Sequence, residues 1–234
     1  MRFASALGYD IRLQFRHGFY YVYFVICLVY IVLLSLLPVP YRETADILLT
    51  FTDPGMLGFF FIGGLVLLEK GQGIHENLFV TPYTIAEYIC SKTLSLTFLS
   101  LAASYSVHAS VFGFRHNPVY FLAGVGLTSV FFTMAGLGVA VRCTSLNGFF
   151  LYASAVTAIF LLPLVETVGL WTSPLLGILP ASASLALIGS VFEPLPPWQN
   201  VYMLSLLTVW CGVVYLWTLH SFQRLIVLKT GGGS

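Results

Sequence analysis

Glu69, Lys70, His75, Glu76, Glu87 and Lys92 crowd into one stretch, EKGQGIHENLFVTPYTIAEYICSK, of a chain in which only 8% of residues are charged. Acids and bases gathered this way can hold a metal, cradle a phosphate, activate a nucleophile or dock a water-soluble partner. The first three lack their motifs. No HExxH pair and no paired acidic motif is present, and no GxxxxGK[ST] loop exists, since Lys92-Thr93 is preceded by Cys90 and Ser91. Cys27, Cys90, Cys143 and Cys211 form no CxxC pair and have no histidine at metal-ligand spacing. Ala181–Ser184, an ASAS run, has no histidine base in a plausible neighbouring span, so its serines read as small packing residues. Docking remains.

The elements that carry this stretch are apolar. Hydrophobic residues make up 58% of the chain, and its mean hydropathy is +0.92, which is the composition of an all-α, polytopic membrane protein. Six spans are expected at about 19–37, 54–68, 93–114, 118–141, 148–166 and 201–222. Their centres lack Asp, Glu, Lys and Arg, which argues against an ion-coupled transporter or a membrane-embedded enzyme. Ahead of them, Phe3, Leu7, Ile11 and Phe15 recur every fourth residue beside Arg12 and Arg16, as in an interfacial helix in the headgroup plane.

A seventh apolar stretch, 173–192, is interrupted by Pro174 and Pro180. If it does not cross, Arg2, Arg12, Arg16, Lys70, Lys92, Arg142, Arg224 and Lys229 share one side and leave Arg42 and Arg115 opposite. That bias is the positive-inside pattern, so the stretch is read as a re-entrant hairpin on the outer face, with both termini cytoplasmic. Glu43, Asp46, Asp53, Glu166 and Glu193 then fall in outer loops. Residues 1–230 form one membrane domain, and 231–234 (GGGS) read as an appended linker.

The polar stretch lies on the cytoplasmic side between the second and third spans. Gly71 and Gly73 can end the second helix, after which Ile74, Leu78 and Phe79 form an apolar stripe with His75, Glu76 and Asn77 facing elsewhere. Thr81 suits an N-cap and Pro82 the first helical position of a helix running through Glu87 and Lys92. A short amphipathic helix presented to the cytosol suits a protein partner.

From Glu69 to Pro82 the pattern E-K-x-x-G-x-x-E-x-L-x-V-T-P, followed ten residues on by Lys92, resembles the cytoplasmic signature of ABC-2 type exporter permeases of the drug and antibiotic efflux kind. The resemblance implies that this loop is a coupling helix seated in a groove of a separate ATPase, with Glu69, Gly73, Ile74, Glu76, Leu78, Phe79, Thr81 and Pro82 at the junction. Gly71 departs from the family, which often has a charge there. The resemblance also implies two ABC ATPase subunits that bind ATP and Mg, a second permease subunit, no cofactor and no enzymatic activity in this chain, and a plasma-membrane location. The second and fifth spans would line the path, offering Met56, Phe59, Phe60, Phe149, Tyr152 and Val156 to an amphipathic, hydrophobic or lipid-like compound. A scaffold or assembly factor recruiting a cytosolic partner through 69–92 is the alternative.

Overall fold

Apolar sequence this dense must satisfy its backbone within each segment, and helices do so. The computed structural model describes residues 2–74, 82–113, 118–167, 169, 173 and 175–224, and no strand occurs among them. The amphipathic α1 (Arg2–Arg16) turns at Gly18 into α2 (Phe19–Leu36), and α3 (Val39–Thr52) and α4 (Pro54–Gly71) follow. Next come α5 (Ile85–Phe112), α6 (Val119–Ala140), α7 (Leu146–Phe160) and the short α8 (Leu164–Thr167). A 3-10 turn (Leu176–Ile178) leads to α9 (Pro180–Gly189) and α10 (Pro197–Phe222). Among the described residues α2, α5, α6 and α10 are long and apolar enough to cross a membrane.

Helix α6 is the post around which the rest assembles, with α4, α5, α7, α9 and α10 all packed against it. Its contact with α4 is the closest. A Cβ added at Gly136 would stand 2.5 Å from the Phe59 carbonyl oxygen, and one at Gly58 would collide with the Thr133 hydroxyl. Glycine at these two positions brings the backbones together, which is how helices gain contact where lipid offers no hydrophobic drive. Phe59, Ile62, Phe131, Phe132 and Phe149 fill the remaining space and are essentially inaccessible.

Helix α5 begins later than Thr81-Pro82 suggests. Its N-cap is Thr84, whose Oγ1 accepts from the Glu87 amide (3.2 Å) while the Glu87 carboxylate accepts from the Thr84 amide (2.8 Å). This reciprocal box satisfies two donors, where a cap at Thr81 has no acid or amide three residues on to answer it. Pro82 is left in the turn ahead of the helix.

The second correction concerns residues 39–53, expected as outer loop. They form α3, which packs on α2, α4, α6 and α9 and buries Asp46, Thr50 and Phe51. The helix breaks at Asp53, because Pro54 supplies no amide to continue the hydrogen-bond ladder. Acids at 43, 46 and 53 made this segment read as solvent-facing; in the fold two of them turn inward.

The fifth expected span ends early, at Phe160, with turns through Leu161–Pro163 before α8. Within 173–192, α9 has ten residues, about 15 Å, or half of a ~30 Å hydrocarbon core. The Trp210 indole donates to the Ile178 carbonyl (2.9 Å), fixing the start of this segment about 20 Å along α10 from Pro197. From there α9 climbs antiparallel to α6: Ser184 accepts from Thr128 (2.7 Å), and Leu187 and Ile188 crowd Gly124. At its upper end Phe192 meets Phe112.

Gly136→Ala should therefore cost about 1–3 kcal/mol, the usual penalty of over-packing, read as a lowered Tm in detergent. Gly212→Ala on α10, where the added methyl meets nothing within 4 Å, should match or exceed the parent.

Candidate functional site

Three ionisable side chains from three helices meet beneath α1. Lys92 on α5 donates to Glu69 Oε1 at the end of α4 (2.7 Å) and to Asp10 Oδ1 on α1 (3.2 Å), with all three side chains less than one-tenth exposed. The remaining oxygens are also engaged. Tyr88 donates to Glu69 Oε2 (2.5 Å) and Ser91 to Asp10 Oδ2 (2.8 Å), while the Lys92 ammonium stands 4.9 Å from the Tyr88 ring centre. One turn further along α1, the Gln14 amide donates to Ser95 (2.8 Å). An ammonium loses its hydration here only because carboxylates and a π face replace it.

The arrangement turns α1 over. Its polar residues Asp10 and Gln14 are buried against α5, while Phe3, Leu7 and Ile11 are half-buried and Phe15 is exposed. The apolar stripe remains available to a membrane surface, and the helix is pinned from the opposite side. Nearby, Tyr83 shares a 3.0 Å hydrogen bond with Ser91, and burial is the main cause that pushes its phenol above the ordinary value. It stays neutral at physiological pH.

Lys70 donates to the carbonyls of Val141 (3.1 Å) and Cys143 (2.9 Å), neutralising the C-terminal end of α6. Beyond α4, Gly73 takes φ 65°, the left-handed value that ends helices, and Ile74 is exposed. The acidic-basic pair at 69–70 thus serves the chain's own packing, while Ile74 and Pro82 present themselves at its surface. Glu76, Leu78, Phe79 and Thr81 lie outside the described residues.

The six path candidates divide. Met56, Phe59 and Phe149 are buried, with Phe59 and Phe149 stacked at 6.0 Å, and they seal α4 against α7. Val156 is half-buried on the same core. Phe60 stacks on the exposed Phe150 (6.2 Å), and Tyr152 is 62% exposed, so these two reach the outer surface of the α4–α7 face.

Two further acids, read from the sequence only as loop residues, turn inward in the fold. Asp46, fully buried, lies 2.7 Å from His108 Nδ1 near the C-terminal end of α5, inside rings from Phe112, Phe121 and Phe192. Asp53, at the α3–α4 break, faces the Tyr30 phenol of α2. Asp10 was missed as well, although it is the only acid before Glu43 and sits between basic residues on an amphipathic helix. That isolation was the available signal.

Comparison with known proteins extends over the whole architecture. A profile described as the Fluoroquinolones export permease protein family matches residues 1–230. Two relatives, each named a fluoroquinolones export permease protein, come from Mycobacterium tuberculosis strains CDC 1551 and H37Rv. Each is 29% identical over 233 residues, covering 98% of this chain and 98% of the relative.

Lys92→Met should strand two buried carboxylates and cost about 3–5 kcal/mol, measured as loss of monodisperse protein and Tm. Adding Glu69→Gln and Asp10→Asn to it should restore part of that loss, because the neutral triad no longer holds an uncompensated charge.

Proposed function

Since the chain belongs to the fluoroquinolones export permease protein family, we propose that it is the membrane subunit of an ATP-driven exporter that moves amphipathic drug-like compounds out of the cytoplasm. The observation that carries this reading is the family match across residues 1–230, spanning every helix described above. Energy comes from two copies of a separate ABC ATPase that bind ATP and Mg, and the chain itself performs no chemistry. A second permease subunit completes the path. The names of the two relatives point to fluoroquinolones as the compounds to try first.

The ion cluster supports a mechanical role for the polar stretch. Glu69 and Lys92 bracket the loop 70–91 at a fixed separation, and Asp10 adds the interfacial helix to the same body. A push on the loop from an ATPase then moves α1, α4 and α5 together. For the dimer, Ala102, Ser106 and Ser110 on α5, and Ser154 and Ala158 on α7, are small residues at four-residue spacing left exposed by the single chain. They fit a helix of another subunit. Six crossings, a re-entrant 173–192 and cytoplasmic termini complete the reading.

Burying Ile74, Leu78 and Phe79 in an ATPase groove contributes about 1.5–3 kcal/mol for each side chain fully removed from water. Leu78→Asp should release the ATPase in a pull-down, whereas Glu76→Ala should keep the complex and lower drug-stimulated ATP turnover in nanodiscs. Retention of the ATPase with normal transport by Leu78→Asp would refute the coupling role. For topology, Gly169→Cys and Pro196→Cys should both react with an impermeant maleimide from outside; labelling from opposite sides would overturn the hairpin.

A further inference from the structure

A cavity of about 600 Å³ opens between α1, α4 and the start of α5. Its buried end is chemically closed. Each carboxylate oxygen of Asp10 and Glu69 already accepts from Lys92, Ser91 or Tyr88, so the cluster asks nothing of a ligand. The walls leading outward are apolar, from Ala6, Leu13, Leu65 and Leu68. At the mouth stand Arg16 and His17, both exposed, and neither has a carboxylate partner among the described residues. An apolar hollow with unanswered positive charge at its rim suits a ligand with a greasy body and an anionic head.

The course of the chain fixes the depth of that rim. Helix α1 is amphipathic, with Arg12 and Arg16 exposed and its single acid, Asp10, buried. Gly18 (φ 78°) turns it directly into α2, which is apolar enough to cross a membrane. Arg16 and His17 therefore occupy the corner between a helix that lies in the headgroup plane and one that enters hydrocarbon, which is the level of lipid phosphates. A second hollow of about 310 Å³ also has His17, Leu65 and Leu68 among its walls, together with Phe19, Phe60 and Phe61. No passage between the two is needed, because a diacyl lipid with its headgroup at the corner can place one chain in each.

We propose that the cavity under α1 holds one acidic phospholipid of the leaflet in which α1 lies, its phosphate on Arg16 and His17 and an acyl chain along Leu13, Leu65 and Leu68. Arginine binds phosphate oxygens in pairs, and a zwitterionic headgroup brings with it an ammonium that Arg16 repels. The lipid braces α1 against α4 beside Ile74, where the polar loop begins. This inference is independent of the exporter reading, since a scaffold with the same α1–α4 cleft would hold the same lipid.

The test is lipid retention by the full-length protein, counted by native mass spectrometry from micelles holding equal amounts of phosphatidylglycerol and phosphatidylcholine. The parent should carry one phosphatidylglycerol per chain and favour it about fivefold, the value of one basic residue against an acidic lipid. Arg16→Gln should abolish that preference. Arg12→Gln removes the same charge from the same helix but lies outside both hollows, and it should keep the preference, a split that neither misfolding nor general attraction to a basic helix produces. Ala6→Trp, which fills the cavity from one wall, should shed the bound lipid with Arg16 still in place.

Equal retention of the two lipids by the parent would overturn the assignment, as would equal loss of preference in Arg12→Gln and Arg16→Gln or an unchanged lipid count in Ala6→Trp. Displacement of the lipid by inorganic phosphate would overturn it too, because the corner would then be a site for a free anion.

Discussion

Lys92 is the constraint on which the half of the bundle around the start of α5 depends. An ammonium buried to this degree must be answered by carboxylates, and the two that answer it arrive from helices remote in sequence. The N-terminal helix, the end of α4 and the start of α5 therefore have one mutual arrangement that leaves no charge stranded. Tyr88 extends the requirement to the last helix, since its hydroxyl serves Glu69 and its ring packs 5.5 Å from Phe222. Arg142 reinforces the same level, with its guanidinium over Trp217 and a hydrogen bond to Ser221.

The opposite half is held by another polar contact on the same helix. From residue 92 to residue 108 along α5 is about 24 Å, and at the far point His108 meets Asp46. Polar pairs mark the two ends of α5, and between them the packing against α6 is apolar, with a Ser129–Ser100 hydrogen bond as a minor exception. Such a division gives register from the charged ends and attraction from close contact in the middle. Small residues on α4 and α6 supply the contact, because van der Waals packing is what remains when both alternatives are apolar.

What the sequence disclosed followed from composition and period. The helical membrane class, the interfacial α1, and the long helices α2, α5, α6 and α10 were legible because long apolar runs have few other solutions. The tail of α4 was legible through Gly73. Helix α3 was not, since VPYRETADILLTFT mixes acids with apolar residues and only the contact of Asp46 with His108, 62 residues on, tells which way that acid points. Likewise Glu69 and Lys92 were seen as a signature, while Asp10, their third member, depends on a contact across 82 residues that no local pattern encodes. The path residues were half legible: being apolar or aromatic on α4 and α7 says that they pack, and the fold decides which of them look outward.

The inward turn of Asp46 also sets an order on biosynthesis. Helix α2, with a mean hydropathy of 2.4, can partition into the bilayer as soon as it leaves the ribosome. The segment after it cannot settle in the same way, because a lone carboxylate in hydrocarbon is expensive. Its partner lies 62 residues downstream, which at ordinary elongation speed is a delay of about 3–12 s. During that interval α3 must be sheltered by the insertion machinery or held at the lipid surface. Release into the bilayer is thus tied to completion of α5, and a chain stalled before His108 would expose an unfinished hairpin to quality-control proteolysis.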